Sequence, residues 1–120
     1  MVRFAHIADV HLGGWKQQPM QDLNFESFKS AINICLTSKL DFVLFAGDLF
    51  DSAYPSIEIL KETFAQFKRL KDAGILCFII AGSHDYSVSG KTFLDVLEKA
   101  GFCKNVYNAE EKENLIILNP

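Results

Sequence analysis

The sequence predicts an α/β fold, in which a mostly parallel sheet is flanked by helices. Three short apolar runs, each bounded by turn residues, have the length of buried strands: 2–8, 42–46 and 75–81. A stretch with helical periodicity separates each run from the next, and this alternation favours right-handed crossovers and parallel pairing. With 120 residues, 49% of them hydrophobic, the chain is long enough for one compact core and too short for two domains.

Three helices are predicted along the chain. The apolar residues of the first recur every three or four positions: Phe25, Phe28, Ile32 and Leu36. Those of the second have the same spacing: Leu60, Phe64, Phe67 and Leu70. Gly74 follows the second pattern where a C-cap glycine belongs. A third helix is predicted from about Thr92 to Gly101, and weaker strand candidates follow at 105–107 and 115–118.

The net charge and the cysteine content restrict how the protein could bind nucleic acid and where in the cell it would be found. A net charge of −3 excludes the global basic field of a non-specific nucleic-acid binder, so any nucleic-acid contact must be local. Cys35, Cys77 and Cys103 show no CxxC spacing and lie in apolar stretches, as reduced core thiols do. The sequence has neither a signal-peptide pattern nor an apolar run of membrane-spanning length. These features predict a cytoplasmic or nucleoid-associated protein without a membrane partner.

Six ionisable residues follow the three predicted strands directly, two after each strand: Asp9 and His11, Asp48 and Asp51, and His84 and Asp85. The carboxyl ends of parallel strands lie along one edge of a sheet, where ligands bind. Carboxylates brought together there need a cation, and imidazoles supply nitrogen donors to divalent metals. The absence of cysteine from these loops favours manganese, iron, magnesium or zinc over a thiolate site.

Each motif alone also has a purely structural interpretation. An isolated D-x-H is functional in about one case in ten, Asp51 would also cap a turn, and a lone His84 is more often a structural histidine. The three motifs occur together in this order, each at a strand end. The probability that this combination is purely structural is about one in twenty.

These motifs resemble the opening signatures of the calcineurin-like metallophosphoesterase superfamily: D-x-H at 9–11, GDxxD at 47–51, and Gly-Ser-His-Asp at 82–85, where the superfamily has G-N-H-D. More narrowly, residues 4–13 and 46–50 resemble the amino-terminal region of the SbcD-type nucleases, which include the archaeal and eukaryotic double-strand-break repair nuclease. The resemblance runs from residue 2 to residue 101. It implies the first half of a metallophosphoesterase β-sandwich flanked by helices, with residues 1–120 as the N-terminal portion of the nuclease domain.

The resemblance also implies two divalent metal ions, with manganese as the expected ion. Asp9 and His11 would bind the first metal, and the Asp48 carboxylate would bridge both. His84 would contact the phosphate and protonate the leaving oxygen, while Asp85 would hold the His84 ring through a hydrogen bond.

Two positions carry further expectations. Asp51 is expected beside the metal ligands, holding them in place. Ser83 stands where the family has asparagine, and because a neutral hydroxyl coordinates weakly, the second metal is expected to bind loosely or through a water molecule.

The three histidines are His6, His11 and His84, so the family's later GH and GHxH motifs have no counterpart, and His6 is expected to pack within its strand. These 120 residues alone are therefore expected to be inactive.

The leading interpretation is the N-terminal part of a manganese-dependent DNA exo/endonuclease of double-strand-break repair. A phosphoesterase for small nucleotides or phosphoproteins is one alternative. A non-catalytic scaffold that binds DNA or a partner is another, which Ser83 and the missing histidines favour. The retained Asp9, His11, Asp48 and His84 argue against the scaffold, because a row of unpaired carboxylates is costly without a function.

Partner contacts are predicted at two places. Trp15 and Lys16 are candidates for stacking and charge contacts with DNA, although an ordinary exposed loop explains them equally well. The family implies a coiled-coil ATPase partner and a homodimer formed by the helices after the second and third motifs. Four apolar residues would serve that dimer or, equally, the core: Phe64, Phe67, Leu94 and Leu97.

Overall fold

The computed structural model describes residues 1–52, 54–82, 93–106, 110–112 and 115–117, the last two ranges by their backbone only. The predicted alternation is confirmed: β1 (Phe4–Ile7), α1 (Gln18–Thr37), β2 (Phe42–Ala46), α2 (Ile57–Asp72), β3 (Leu76–Ile80), α3 (Phe93–Lys99) and β4 (Lys104–Asn105). Strands β1 to β4 pair in sequence order as one parallel sheet. The antiparallel strands β5 (Glu110–Lys112) and β6 (Leu115–Ile117) follow, and β5 has no counterpart among the predicted strands.

Local sequence explains both ends of α2. The Ser56 hydroxyl accepts a hydrogen bond from the Ile59 backbone N–H at 3.3 Å and so caps the amino end. Glu58 lies in the first turn and Arg69 in the last, so both charges complement the helix dipole. Gly74 then turns the chain with a φ of 76°, as its position in the sequence predicted.

The helices share one core on one face of the sheet. The Phe45 ring of β2 lies 6.5 Å from the Phe28 ring of α1 and 4.9 Å from the Phe67 ring of α2, measured between centroids. Leu94 and Leu97 of α3 join the same buried cluster. Burial of each such side chain contributes about 1.5–3 kcal/mol, and this core therefore fixes where the strand ends lie.

The structure decides between dimer contact and core burial for the four apolar helix residues. Three of them are 0% exposed: Phe67, Leu94 and Leu97. Phe64 is half-buried and packs against the same core. Helices α2 and α3 instead expose other apolar residues, with Ile57 66% and Val96 45% exposed. Core burial therefore explains the four predicted residues, and on α2 and α3 the exposed Ile57 and Val96 are apolar side chains that a partner could contact.

The opposite face of the sheet is apolar and open within the described part of the chain. The Phe42 ring stacks on the Phe4 ring at 5.1 Å and meets the edge of the Phe78 ring at 6.0 Å. On this face Phe4 is 54% exposed. His6 is exposed there as well, so the expectation that it packs is wrong for this structure. An uncovered apolar sheet face fits one layer of the sandwich that the sequence predicts.

The cysteines agree with their prediction as reduced thiols. All three are free, with Cys35 and Cys77 buried and Cys103 partly buried. Desolvation by burial raises the pKa of the Cys77 thiol to about 12.

Over the residues that the structure describes, no helix has the length and apolar character needed to cross a membrane.

Candidate metal centre

The candidate site is built by the loops that follow β1 and β2, which continue the parallel pairing of those strands. The His11 backbone N–H donates to the Asp48 carbonyl at 2.9 Å, and the Leu12 N–H donates to the Leu49 carbonyl at 2.9 Å. Backbone hydrogen bonds of this kind fix the relative position of the two loops. The side chains of His11 and Asp48 are therefore held together by the backbone that carries them.

Apolar residues within the same loops anchor them to the core. Leu12 is 1%, Leu49 2% and Phe50 1% exposed. From α1, the Asn24 side-chain amide donates to the Val10 carbonyl at 3.0 Å and so ties the first loop to the helix. The sequence patterns did not single out Asn24, because a polar residue on a helix carries no signal for a contact made in three dimensions.

Three of the predicted site residues have left-handed backbone conformations. The φ angles are 54° at Asp9, 50° at His11 and 51° at Asp48. This region costs a residue with a side chain about 1–2 kcal/mol. Strain of this kind concentrates at functional sites, where the surrounding structure enforces it, and here the hydrogen bonds between the loops do so.

These three residues form a group with the geometry of a metal site. One ligand atom from each of Asp9, His11 and Asp48 lies within 4.8 Å of the other two. The His11 Nε2 atom is 3.8 Å from the Asp9 Oδ1 atom and 3.8 Å from the Asp48 Oδ2 atom. Two carboxylates and one imidazole suit a divalent transition metal, so the donor set fits the metal ions that the sequence predicts.

Exposure differs strongly among the three ligand candidates. The side chains are 74% exposed at Asp9, 31% at His11 and 14% at Asp48. The cluster is therefore anchored in the protein at Asp48 and open to solvent at Asp9. An open side of this kind would give a phosphate group access to a bound ion.

Asp51 lies on the other side of the His11 ring from the cluster. Its Oδ1 atom is 3.0 Å from His11 Nδ1, and its side chain is 40% exposed. Asp51 thus contacts a ligand candidate through the ring nitrogen that does not face Asp9 and Asp48.

The other predicted site residues are the two candidates for DNA contact and the three residues of the third motif. Trp15, which is 46% exposed, and the exposed Lys16 lie in the loop between β1 and α1. The Trp15 carbonyl accepts a hydrogen bond from the Gln21 side chain, which ties this loop to α1. Ser83, His84 and Asp85 lie outside the described residues.

A cleft of about 780 Å³ lies between α1 and α2, beside the first loop. Its lining includes four acidic residues and one lysine: Asp22, Glu26, Glu58, Glu62 and Lys29. An excess of carboxylates repels a phosphate backbone. This cleft is therefore a poor site for DNA.

Comparison with known proteins identifies related sequences. The family model for calcineurin-like phosphoesterases matches residues 2–117. A DNA double-strand break repair protein Mre11 from Methanosarcina mazei is 37% identical over 102 residues, which cover 83% of this chain and 16% of that protein. A protein of the same name from Archaeoglobus fulgidus is 34% identical over 127 residues, covering 98% of this chain and 28% of its own length. An uncharacterized metallophosphoesterase YhaO from Bacillus subtilis is 34% identical over 93 residues, which cover 69% of this chain and 23% of that protein.

The chain thus spans only 16% to 28% of the length of these curated relatives. Within that span, the family match covers nearly the whole chain. The parallel sheet and the group formed by Asp9, His11 and Asp48 supply the architecture and the candidate metal site that a phosphoesterase of this kind requires. The chain belongs to the calcineurin-like phosphoesterase family.

Proposed function

We propose that this chain forms the N-terminal part of a manganese-dependent phosphodiesterase that cleaves DNA in double-strand-break repair. The convergence of Asp9, His11 and Asp48 at the carboxyl edge of the sheet carries the proposal. Relatives named as DNA double-strand break repair proteins support DNA as the substrate class.

In this proposal Asp9 and His11 would hold one metal ion, and Asp48 would be a ligand of this ion and of a second one. Bound metal ions would supply an activated water molecule and neutralise the charge of the phosphate. The low exposure of Asp48 supports its central role, because a ligand shared by two ions must be fixed in position. We further propose His84 as the acid that protonates the leaving oxygen, with Asp85 holding its ring, on the motif alone.

Activity assays on the full-length protein test this function. With Mn²⁺, the wild type should cleave double-stranded DNA faster than matched mononucleotides or phosphopeptides. Asp48→Asn should lose activity by at least about a hundredfold, because it removes a charged ligand. Asp72→Asn at the exposed end of α2 removes the same charge elsewhere and should leave activity unchanged.

Each alternative predicts a different result from these assays. Preferential hydrolysis of mononucleotides or phosphopeptides would identify a small-molecule phosphoesterase or a phosphatase. Equal cleavage rates for wild type and Asp48→Asn would exclude the proposed site. DNA binding without metal content or hydrolysis would indicate a scaffold.

Ser83 is proposed to weaken the second metal site, because a hydroxyl is a poorer ligand than an amide oxygen. Titration of Mn²⁺ into the full-length protein should show tighter second-site binding in Ser83→Asn than in the wild type. Equal second-site affinities would contradict this role.

The 120 residues alone are proposed to leave the site incomplete, since they contain only three histidines and lack the family's later GH and GHxH motifs. The isolated chain should bind Mn²⁺ more weakly than the full-length protein and show little DNA cleavage. Robust cleavage by the isolated chain would overturn this proposal.

DNA contact is proposed at Trp15 and Lys16, whose exposure leaves a ring for stacking and a charge for phosphate. Trp15→Ala should weaken single-stranded DNA binding by about 1–3 kcal/mol. We also propose a homodimer through α2 and α3, a coiled-coil ATPase partner and a cytoplasmic or nucleoid-associated location in the cell. The exposed Ile57 and Val96 support the dimer.

A further inference from the structure

We infer that Asp51 is a positioning residue, whose carboxylate fixes the His11 imidazole so that Nε2 stays directed at the metal cluster. This inference rests on the proposed metal site and adds the group that orients one of its ligands. Asp51 and His11 are 40 residues apart in sequence and meet only in the folded chain.

The first argument is the hydrogen-bond geometry of the ring. Asp51 Oδ1 lies 3.0 Å from His11 Nδ1. An ionised carboxylate only accepts hydrogen bonds, so Nδ1 must carry the proton. A neutral His11 then keeps its lone pair on Nε2, the atom that lies 3.8 Å from oxygens of both Asp9 and Asp48.

The second argument is that the backbone of Asp51 is itself fixed. The Asp51 N–H donates to the Leu12 carbonyl at 3.1 Å. Leu12 and Phe50 form a β-bridge, and both are buried. Asp51 therefore belongs to the same hydrogen-bonded pair of loops as His11. A rigid carrier of this kind is what orientation of a metal ligand requires.

The third argument is that Gly14 leaves space for this contact. A Cβ atom at Gly14 would lie 3.1 Å from the Asp51 Cγ atom and 3.0 Å from the His11 carbonyl oxygen. The Gly14 N–H also donates to that carbonyl at 3.0 Å. A side chain at this position would crowd both members of the pair, so Gly14 is part of the same arrangement.

Histidine ligands in metal sites usually donate their second N–H to a carboxylate or carbonyl, and loss of that partner costs about 10-fold to 100-fold in metal affinity. Asp51→Ala should therefore weaken Mn²⁺ binding in the full-length protein by about this factor. Asp51→Asn keeps a side-chain oxygen that accepts from Nδ1–H, so it should restore part of the affinity. Asp72→Asn, which removes an equal charge at the far end of α2, should bind as the wild type does.

The tautomer of His11 provides a readout that needs no metal and no activity. In ¹⁵N–¹H imidazole spectra of the full-length protein, the signals that disappear in His11→Gln are those of His11. In the neutral imidazole, the His11 proton should lie on Nδ1 in the wild type and shift toward Nε2 in Asp51→Ala. Urea unfolding of each variant without metal verifies that it remains folded.

The outcomes separate this inference from the proposed function. If the wild-type full-length protein binds no Mn²⁺, the proposed metal site is wrong. If the wild type binds Mn²⁺ and folded Asp51→Ala binds it equally well with an unchanged His11 tautomer, the positioning role alone is overturned. A shifted tautomer together with weaker Mn²⁺ binding, partly restored in Asp51→Asn, supports the inference.

Discussion

Gly82 lies directly against Asp48, so closely that a Cβ atom at Gly82 would overlap the Asp48 carboxylate and come within 2.5 Å of the Asp48 backbone nitrogen. Backbone atoms cannot move aside cheaply, so any side chain at position 82 must displace Asp48. Gly82→Ala should therefore lower divalent-metal affinity at least about tenfold and destabilise the fold by about 1–3 kcal/mol. Mn²⁺ titration and urea unfolding measure the two effects. Unchanged affinity in a folded variant would show that Asp48 tolerates the displacement.

The ends of α1 and α2 give a matched pair of stability predictions. Lys39 follows α1 with a φ of 51°, whereas Gly74 follows α2 with a φ of 76° and open space around its α-carbon. Lys39→Gly should raise the free energy of unfolding by about 1 kcal/mol, and Gly74→Ala should lower it by about the same amount. Both positions lie away from the metal cluster, so Mn²⁺ affinity should not change. Chemical denaturation measures both changes. A lower free energy of unfolding in Lys39→Gly, or a higher one in Gly74→Ala, would contradict the assigned backbone conformations.

Metal binding should stabilise the folded protein. In the full-length protein, free Mn²⁺ at a hundred times its dissociation constant should add about 2.7 kcal/mol to the free energy of unfolding. Asp9→Asn should bind Mn²⁺ more weakly and so lose much of this gain, yet keep the stability of the metal-free protein, because asparagine tolerates the left-handed backbone of Asp9. Thermal unfolding with Mn²⁺ and with chelator measures the difference. An equal gain in both proteins would exclude Asp9 as a ligand.

The buried thiol of Cys77 predicts loss of stability at alkaline pH. Desolvation raises the pKa of this thiol from its ordinary value of 9.0 to about 12. The folded chain therefore keeps a proton that the unfolded chain releases above pH 9, and between pH 9 and about 12 the thiol lowers the free energy of unfolding by up to about 1.4 kcal/mol per pH unit. Below pH 9 its contribution is constant. Urea unfolding across this range should show a shallower decline in Cys77→Ala, and identical slopes would contradict the prediction.

Two adjacent residues of α3 allow dimer contact and core packing to be tested separately. Val96 is 45% exposed and Leu97 is 0% exposed. Val96→Asp, combined with Ile57→Asp, should weaken self-association of the full-length protein while changing its folding stability by only about 0.5 kcal/mol per substitution. Leu97→Ala should cost about 2–5 kcal/mol of stability, as cavity formation in a core does. Analytical ultracentrifugation and urea unfolding distinguish the effects, and an unchanged dimer in the double variant would exclude this surface.

The sequence by itself determined the alternation of strands and helices and the edge at which the polar residues collect. Hydrophobic periodicity and turn residues are local signals, so Gly74 and the bounds of β2 could be predicted from neighbouring residues. The same logic placed Asp9, His11 and Asp48 together, because each follows a strand of one parallel sheet.

Only the tertiary structure decided which atoms meet. The contact between Asp51 and His11, the Asn24 tether and the close approach of Gly82 to Asp48 depend on strand register and loop packing, which join residues far apart in the chain. Periodicity likewise marked Leu97 as apolar without showing whether a core or a partner covers it. Burial and hydrogen bonding are properties of the assembled layers, and a local pattern does not contain the distances between them.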